Sequence, residues 1–86
     1  MGCKINPTKH AYVRFIYREV GKYVEFNELL KSVDHLYQAK NIEEDGYGPE
    51  GPRYKVRISL PRHRRAIIVI ERVSECSLKV ITMWLE

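Results

Sequence analysis

The hydrophobic positions of the chain follow a helical period in its first half and a strand period in its second half. Val13, Ile16, Tyr17 and Val20 recur at the spacing of one helix face. A second apolar series predicts another helix, from about residue 27 to residue 39: Phe26, Leu29, Leu30, Val33, Leu36 and Tyr37. Two amphipathic helices joined by a few residues predict a helical hairpin.

The start and end of the first helix are marked by residues that favour helix boundaries. Asn6 followed by Pro7 predicts an N-cap and a first helical position. Gly21 is expected to stop the helix. Before this helix, Lys4 and Ile5 predict a short strand.

Beyond residue 52, apolar and polar residues alternate with a period of two. This alternation predicts a half-buried strand over residues 53–60, followed by a hairpin loop over residues 61–64. Residues 65–73 and 78–85 are rich in β-branched side chains and predict two further strands. The fold class predicted is α+β, with a helical hairpin packed on an antiparallel β-meander of three to four strands.

The segment between the helices and the meander, residues 41–52, is acidic and rich in glycine and proline. It contains four acids and no base. We expect it to be a mobile loop within a single domain that spans residues 1–86, since 86 residues are too few for two ordinary domains.

The register of the hairpins decides which sheet face the helices cover. If Leu60 lies opposite Arg65, Ile58 lies opposite Ile67, and the helices cover the face that these two share. The other face then carries an uncovered apolar strip made of Ile68, Ile70, Ile81 and Met83. Such a strip predicts a protein-partner surface, either for another protein or for a homodimer. A one-residue error in either turn would exchange the two faces.

Positive charge is concentrated in one segment. The chain has 15 bases and 11 acids, a formal net charge of +4. Six of the bases fall between residues 53 and 65, where no acid occurs: Arg53, Lys55, Arg57, Arg62, Arg64 and Arg65. This cluster predicts a nucleic-acid-binding surface. The alternative interpretation is a solvated strand edge whose charges discourage aggregation.

Several classes of protein and site are disfavoured by the sequence. The longest apolar run, residues 66–70, is far shorter than the roughly 20 residues of a membrane-spanning helix, and the N-terminal segment does not resemble a secretory signal. We therefore expect a cytoplasmic protein with no membrane partner. Cys3 and Cys76 are interpreted as reduced thiols. The spacing of the histidines and cysteines predicts no metal site, and no motif predicts a cofactor.

One short motif resembles that of a known family. His10-Ala11-Tyr12-Val13-Arg14 is similar to the His-Ala-x-x-Arg start of short RelE-like domains, and residues 80–84 resemble the family's last strand. The resemblance implies the fold of toxins from toxin–antitoxin systems, many of which are endoribonucleases. It also implies RNA or the ribosome as a target and an antitoxin protein as a partner.

The resemblance implies metal-independent RNA cleavage and a role for each matching residue. His10 would act as acid or base, and Arg14 would bind the phosphate; His63 is a second acid or base candidate. The expected electrostatic stabilisers are Lys55, Arg57 and Arg65. Whether the chain is an enzyme stays open, since a non-catalytic nucleic-acid- or protein-binding module of a virus or mobile element fits the same residues. A dimeric structural protein is a third possibility.

Overall fold

The structure, a computed structural model, describes residues 4–86 and consists of a strand, two helices and four further strands. In chain order the elements are β1 (Lys4–Pro7), α1 (Lys9–Tyr17), α2 (Phe26–Gln38), β2 (Glu43–Tyr47), β3 (Pro52–Leu60), β4 (Arg64–Ser74) and β5 (Ser77–Leu85). A single 3-10 turn, Val20–Lys22, joins the two helices. The α+β class is confirmed, but the sheet has five strands in the described chain, not three to four.

The five strands form one mixed sheet in the order β1-β5-β4-β3-β2. β1 runs parallel to β5, and the other neighbouring pairs are antiparallel. The meander of β3, β4 and β5 is therefore as predicted, and the short strand expected at Lys4 and Ile5 is confirmed as part of β1.

The first helix begins later than expected because Asn6 and Pro7 belong to β1. Thr8 is the N-cap, and its hydroxyl accepts a hydrogen bond from the Ala11 amide at 3.1 Å. The same hydroxyl donates to the Val80 carbonyl at 2.8 Å. One side chain thus caps the helix and ties its start to β5.

Helix α1 also ends before Gly21, because Glu19 adopts a left-handed conformation (φ 62°) that breaks the helical path. Gly21 instead allows close packing in the 3-10 turn. A Cβ atom at this position would lie 2.9 Å from the Phe15 ring. The glycine therefore serves the contact between this turn and α1.

Only part of the acidic segment 41–52 is a loop, because residues 43–47 form the edge strand β2. Glu43 pairs with Lys55 in the register of β2 with β3, and Tyr47 pairs with Pro52. Opposite charges on facing positions favour such pairing. A bulge between Glu44 and Tyr47 contains Gly46, which has a φ of +77°.

The loop of the β3–β4 hairpin is one residue shorter than expected. This shifts the register by one residue and exchanges the two sheet faces. Leu60 lies opposite Arg64 rather than Arg65, so that Ile68 lies opposite Val56 and Met83 lies opposite Ile68. Ile68, Ile70 and Met83 are fully buried in the core. Ile81 is half-buried beside the register shift in β5. The partner surface predicted from these four residues is therefore wrong.

The helices cover the face that carries this core. Ala11 and Phe15 of α1 and Leu29 and Val33 of α2 are buried against it. The Phe26 ring lies 4.9 Å from the Phe15 ring in an edge-to-face arrangement. No helix in residues 4–86 is long and apolar enough to cross a membrane.

The turn between β4 and β5 contains Cys76, which is disulfide-bonded. The reduced thiol expected there is therefore wrong, whereas Cys3 lies outside the described residues. Disulfides persist in oxidising compartments and are rare in the cytoplasm, so this bond does not favour the cytoplasmic location, which stays a prediction.

Candidate nucleic-acid interface

The residues that the resemblance assigns to catalysis lie in three separate places. His10 and Arg14 lie on α1, where the Arg14 Nε donates a hydrogen bond of 3.2 Å to the His10 Nε2. His63 lies at the tip of the β3–β4 hairpin. The remaining three lie on the sheet face opposite the helices: Lys55, Arg57 and Arg65. The structure does not bring the six together into one active site.

The helix-free face of the sheet is identified by its cross-strand neighbours. Ile67 and Val69 of β4 are buried but do not belong to the core beneath the helices. Arg57 lies opposite Ile67, and Lys55 lies opposite Val69, so both bases share this face. Trp84 flanks Ile67 on its other side.

The apolar centre of this face is buried. Ile67 is 6% exposed and Val69 is 5% exposed, although no helix of the described chain packs above them. The aliphatic stems of lysine and arginine can bury apolar surface in this way while their charged ends stay in water. The helix-free face therefore offers no open apolar strip.

The bases of the helix-free face are held in ion pairs with acids. Four of these pairs are Arg53 with Glu71 at 2.7 Å, Arg65 with Glu86 at 3.2 Å, Arg57 with Glu86 at 3.6 Å and Lys55 with Asp45 at 3.7 Å. Arg57 also pairs with Glu43, and Lys79 pairs with Glu50. The hydrogen bond to Glu43 raises the pKa of Arg57 above its ordinary value, so that this group stays charged.

The formal charges within these ion pairs therefore cancel. Five bases, with Lys79 as the fifth, are matched by five acids in these pairs. The strand bases Arg53, Lys55 and Arg57 do not form the free cationic surface that the sequence suggested.

Glu71 is the most buried charged group of this face, and its role was not predicted from the sequence. Its carboxylate is 1% exposed and accepts hydrogen bonds from the Arg53 Nε at 2.7 Å and from the Glu50 amide at 3.1 Å. A Cβ at Gly48 would overlap this carboxylate. An acid inside a run of β-branched residues is the sequence signal that could have indicated a buried ion pair.

The surroundings of Glu71 act on its protonation in opposite directions. Burial alone would raise the pKa of Glu71. The hydrogen bonds from Arg53 and from the Glu50 amide, together with the charges of Arg53 and Lys79, outweigh burial and lower the pKa. The ionised carboxylate therefore fastens the turn between β2 and β3 to the sheet.

Of the six bases in residues 53–65, the two that are not paired in this way lie at the tip of the β3–β4 hairpin. Arg62 and Arg64 have no carboxylate partner among residues 4–86. Arg64 lies over the Tyr23 ring, 5.7 Å from its centre, which places the tip beside the 3-10 turn. The tip residues line an open cavity of about 540 Å³ together with Ser59 and Leu60.

The backbone of the tip is held in an unfavourable conformation. Arg62 and His63 have φ angles of 63° and 59°, a region that glycine and asparagine adopt far more readily. The Arg64 amide donates to the Pro61 carbonyl at 3.4 Å and closes the turn. Backbone strain of this kind concentrates at functional sites, so it marks the tip as a candidate site.

Within residues 4–86, no three His, Cys, Asp or Glu side chains are grouped to hold a metal ion. Comparisons of the chain with protein-family models, with curated proteins and with solved structures find no match.

Proposed function

We propose that the chain is a RelE-like, toxin-type domain that binds RNA through the β3–β4 hairpin tip. One observation carries this proposal: Arg62 and Arg64 are exposed without a carboxylate partner in the described chain, whereas the strand bases are paired. The order of one strand, two helices and an antiparallel meander supports the resemblance at His10 to Arg14.

The physical basis is the attraction of free cations for phosphate. An arginine without a carboxylate partner can bind a phosphate with two parallel hydrogen bonds. An arginine already paired to an acid must first lose that pair. Two phosphate contacts would give a modest affinity and a slope of about −1.4 in a plot of log affinity against log salt for a single strand.

Binding is tested by fluorescence anisotropy with a labelled single-stranded RNA. The variant Arg62→Gln/Arg64→Gln should bind at least about tenfold more weakly and lose most of the salt slope. The matched control Lys55→Gln/Lys79→Gln removes the same charge from ion-paired bases of the helix-free face, and its affinity should stay within about threefold of wild type. Equal losses in both variants would mean that only net charge matters, and would refute a site at the tip.

RNA cleavage at the tip is the second candidate function. The observation that favours it is the position of His63 between Arg62 and Arg64, where an imidazole could take the proton of a 2′-hydroxyl while the arginines stabilise the charge that develops on the phosphate. The 2′-oxygen would attack the neighbouring phosphorus and form a 2′,3′-cyclic phosphate, while the bond from phosphorus to the 5′ oxygen breaks and this oxygen takes a proton from water.

Cleavage is tested with free and ribosome-bound RNA in the presence of a chelator. His63→Ala should abolish cleavage and change RNA affinity by less than about threefold, since the arginines remain. His10→Ala tests the role that the resemblance implies for α1. If wild-type protein cuts neither substrate, the chain is a non-catalytic binding module.

A further inference from the structure

A groove lies between α2 and the uncovered edge of β3. It exists because β2 pairs with β3 only as far as Lys55, so that the following residues of β3 have no strand neighbour on that side in the described chain. The groove has a volume of about 480 Å³, which is the size of a small-molecule site.

The charged lining of the groove is cationic. Its two basic residues are Lys31 and Arg57, and none of its lining residues is an acid. Arg57 is already paired with Glu43 and Glu86, so Lys31 is the cation available to a ligand, and His35 adds an imidazole that can donate a hydrogen bond. Lys31 is exposed and forms an ion pair with Glu28 at 3.6 Å. Such an exposed pair on one helix contributes little free energy, so Lys31 can turn to an anionic ligand at small cost.

The remaining lining is suited to a flat ring and its polar edge. Leu36 and Ile58 supply apolar surface, while Ser32, Asn41 and Ser59 supply hydroxyl and amide groups. The anionic groups of a ligand would bind the basic side chains, and a planar ring of the same ligand would pack on the apolar surface. A nucleotide combines these chemical properties in one ligand of the right size.

The groove adjoins the hairpin tip. Ser59 lines both the groove and the cavity formed by the tip residues. A strand of RNA held at Arg62 could therefore extend along β3 into the groove, where it would meet Arg57, one of the paired bases of the helix-free face.

We infer that the groove holds one nucleotide of the bound RNA, with its base against Leu36 and Ile58 and its phosphate between Lys31 and His35. This inference rests on the proposed RNA binding at the tip. It adds a second contact that gives the RNA a defined position, which tip arginines alone do not provide.

The ligand class is tested by NMR titration of the amide signals with AMP, adenosine and inorganic phosphate. AMP should shift the signals of Ser32, His35 and Ser59 and should bind at least about fivefold more tightly than adenosine or phosphate alone, because it uses both parts of the groove. Phosphate binding as tight as that of AMP, or AMP shifts confined to other residues, would overturn the inference.

The contribution of the groove to RNA binding is tested with two matched lysines. Lys31→Gln should weaken RNA binding by about three- to tenfold, as expected for one lost phosphate contact. Lys22→Gln is the control, because Lys22 is also exposed and pairs with a glutamate three residues away, Glu19 at 3.1 Å, but lies outside the groove. Its affinity should equal that of wild type.

These variants separate the inference from the proposed function. If Arg62→Gln/Arg64→Gln weakens binding but Lys31→Gln behaves like Lys22→Gln, the groove inference fails and the tip proposal stands. If Lys31→Gln weakens binding and the tip variant does not, the tip proposal fails, and with it the path by which RNA would reach the groove.

Discussion

Replacing Glu71 by glutamine removes a buried negative charge and leaves the size of the side chain nearly unchanged. In the wild-type protein this carboxylate is 1% exposed and accepts hydrogen bonds from the Arg53 Nε and the Glu50 amide. A glutamine has only one acceptor oxygen, so it can satisfy one of these donors and must turn its amide group toward the other. We therefore expect Glu71→Gln to destabilise the fold.

The magnitude follows from the contacts that are lost. A hydrogen bond to a charged group contributes about 1.5–3 kcal/mol, and a buried donor left unsatisfied costs roughly 1–3 kcal/mol. Arg53 is 32% exposed, so water can replace part of its lost contact. We expect the free energy of unfolding to fall by about 2–3 kcal/mol, out of roughly 4–13 kcal/mol for a chain of this size.

The measurement is urea unfolding followed by the fluorescence of Trp84, the single tryptophan. With a denaturant slope of about 1 kcal/mol per molar, the midpoint of Glu71→Gln should lie roughly 2 M below that of wild type at pH 7. The matched control is Glu19→Gln, which breaks an exposed pair with Lys22. Its free energy of unfolding should change by less than about 0.5 kcal/mol.

The difference between wild type and Glu71→Gln should also depend on pH. The folded protein lowers the pKa of Glu71, so the stabilisation is fully present above the unfolded value of about 4.3 and is lost as the pH falls through the lower folded value. The difference in stability between the two proteins should therefore begin to shrink below about pH 4.3 and should disappear only below the folded pKa of Glu71. Equal stability at pH 7, or a difference that persists unchanged at low pH, would refute the stabilising role of the ionised carboxylate.

Five further substitutions test the packing and the tip by the same unfolding assay. Gly48→Ala should destabilise by about 2 kcal/mol because its Cβ would overlap the Glu71 carboxylate, while Gly46→Ala, which meets no atom but has a positive φ, should cost about 1 kcal/mol. Ile68→Ala should cost about 2–5 kcal/mol and half-buried Ile81→Ala clearly less; equal costs would contradict the observed register. His63→Gly should stabilise by about 1 kcal/mol, because glycine adopts its positive φ without strain; a loss of stability would contradict that strain.

The helices could be predicted well because their apolar spacing is local information. The second helix was expected over residues 27–39 and is observed as Phe26–Gln38. The start of α1 could not be predicted in the same way. Pro7 pairs with Val80 of β5 in the parallel register, and this contact with a distant strand moves the N-cap to Thr8.

The hairpin register could not be predicted because the tip lacks the residues that usually specify a tight turn. Turns with positive φ at two successive positions favour asparagine and glycine, whereas Arg62 and His63 occupy those positions here. The loop therefore appeared one residue longer than it is. Since the side chains of a strand alternate between faces, that single residue exchanged Ile68 and Ile67 between the core and the helix-free face.

The charge of the candidate site was misjudged for a related reason. Residues 53–65 contain no acid, but Glu43 precedes this segment in the sequence and Glu86 follows it. Folding brings both carboxylates into ion pairs with Arg57. A local count of charges cannot include partners that are brought in by β2 and by the end of β5. The cluster of six bases is therefore divided into a paired group on the strands and a free group at the tip.

This division determines where a polyanion can approach. A phosphate that displaced Glu86 from Arg65 would gain one ionic contact but would leave a free carboxylate beside it, whose charge repels the phosphate. At Arg62 no carboxylate of the described chain has to be displaced, so the full attraction is available. For this reason the hairpin tip, rather than the strand bases, is the position within residues 53–65 at which we expect the first contact with RNA.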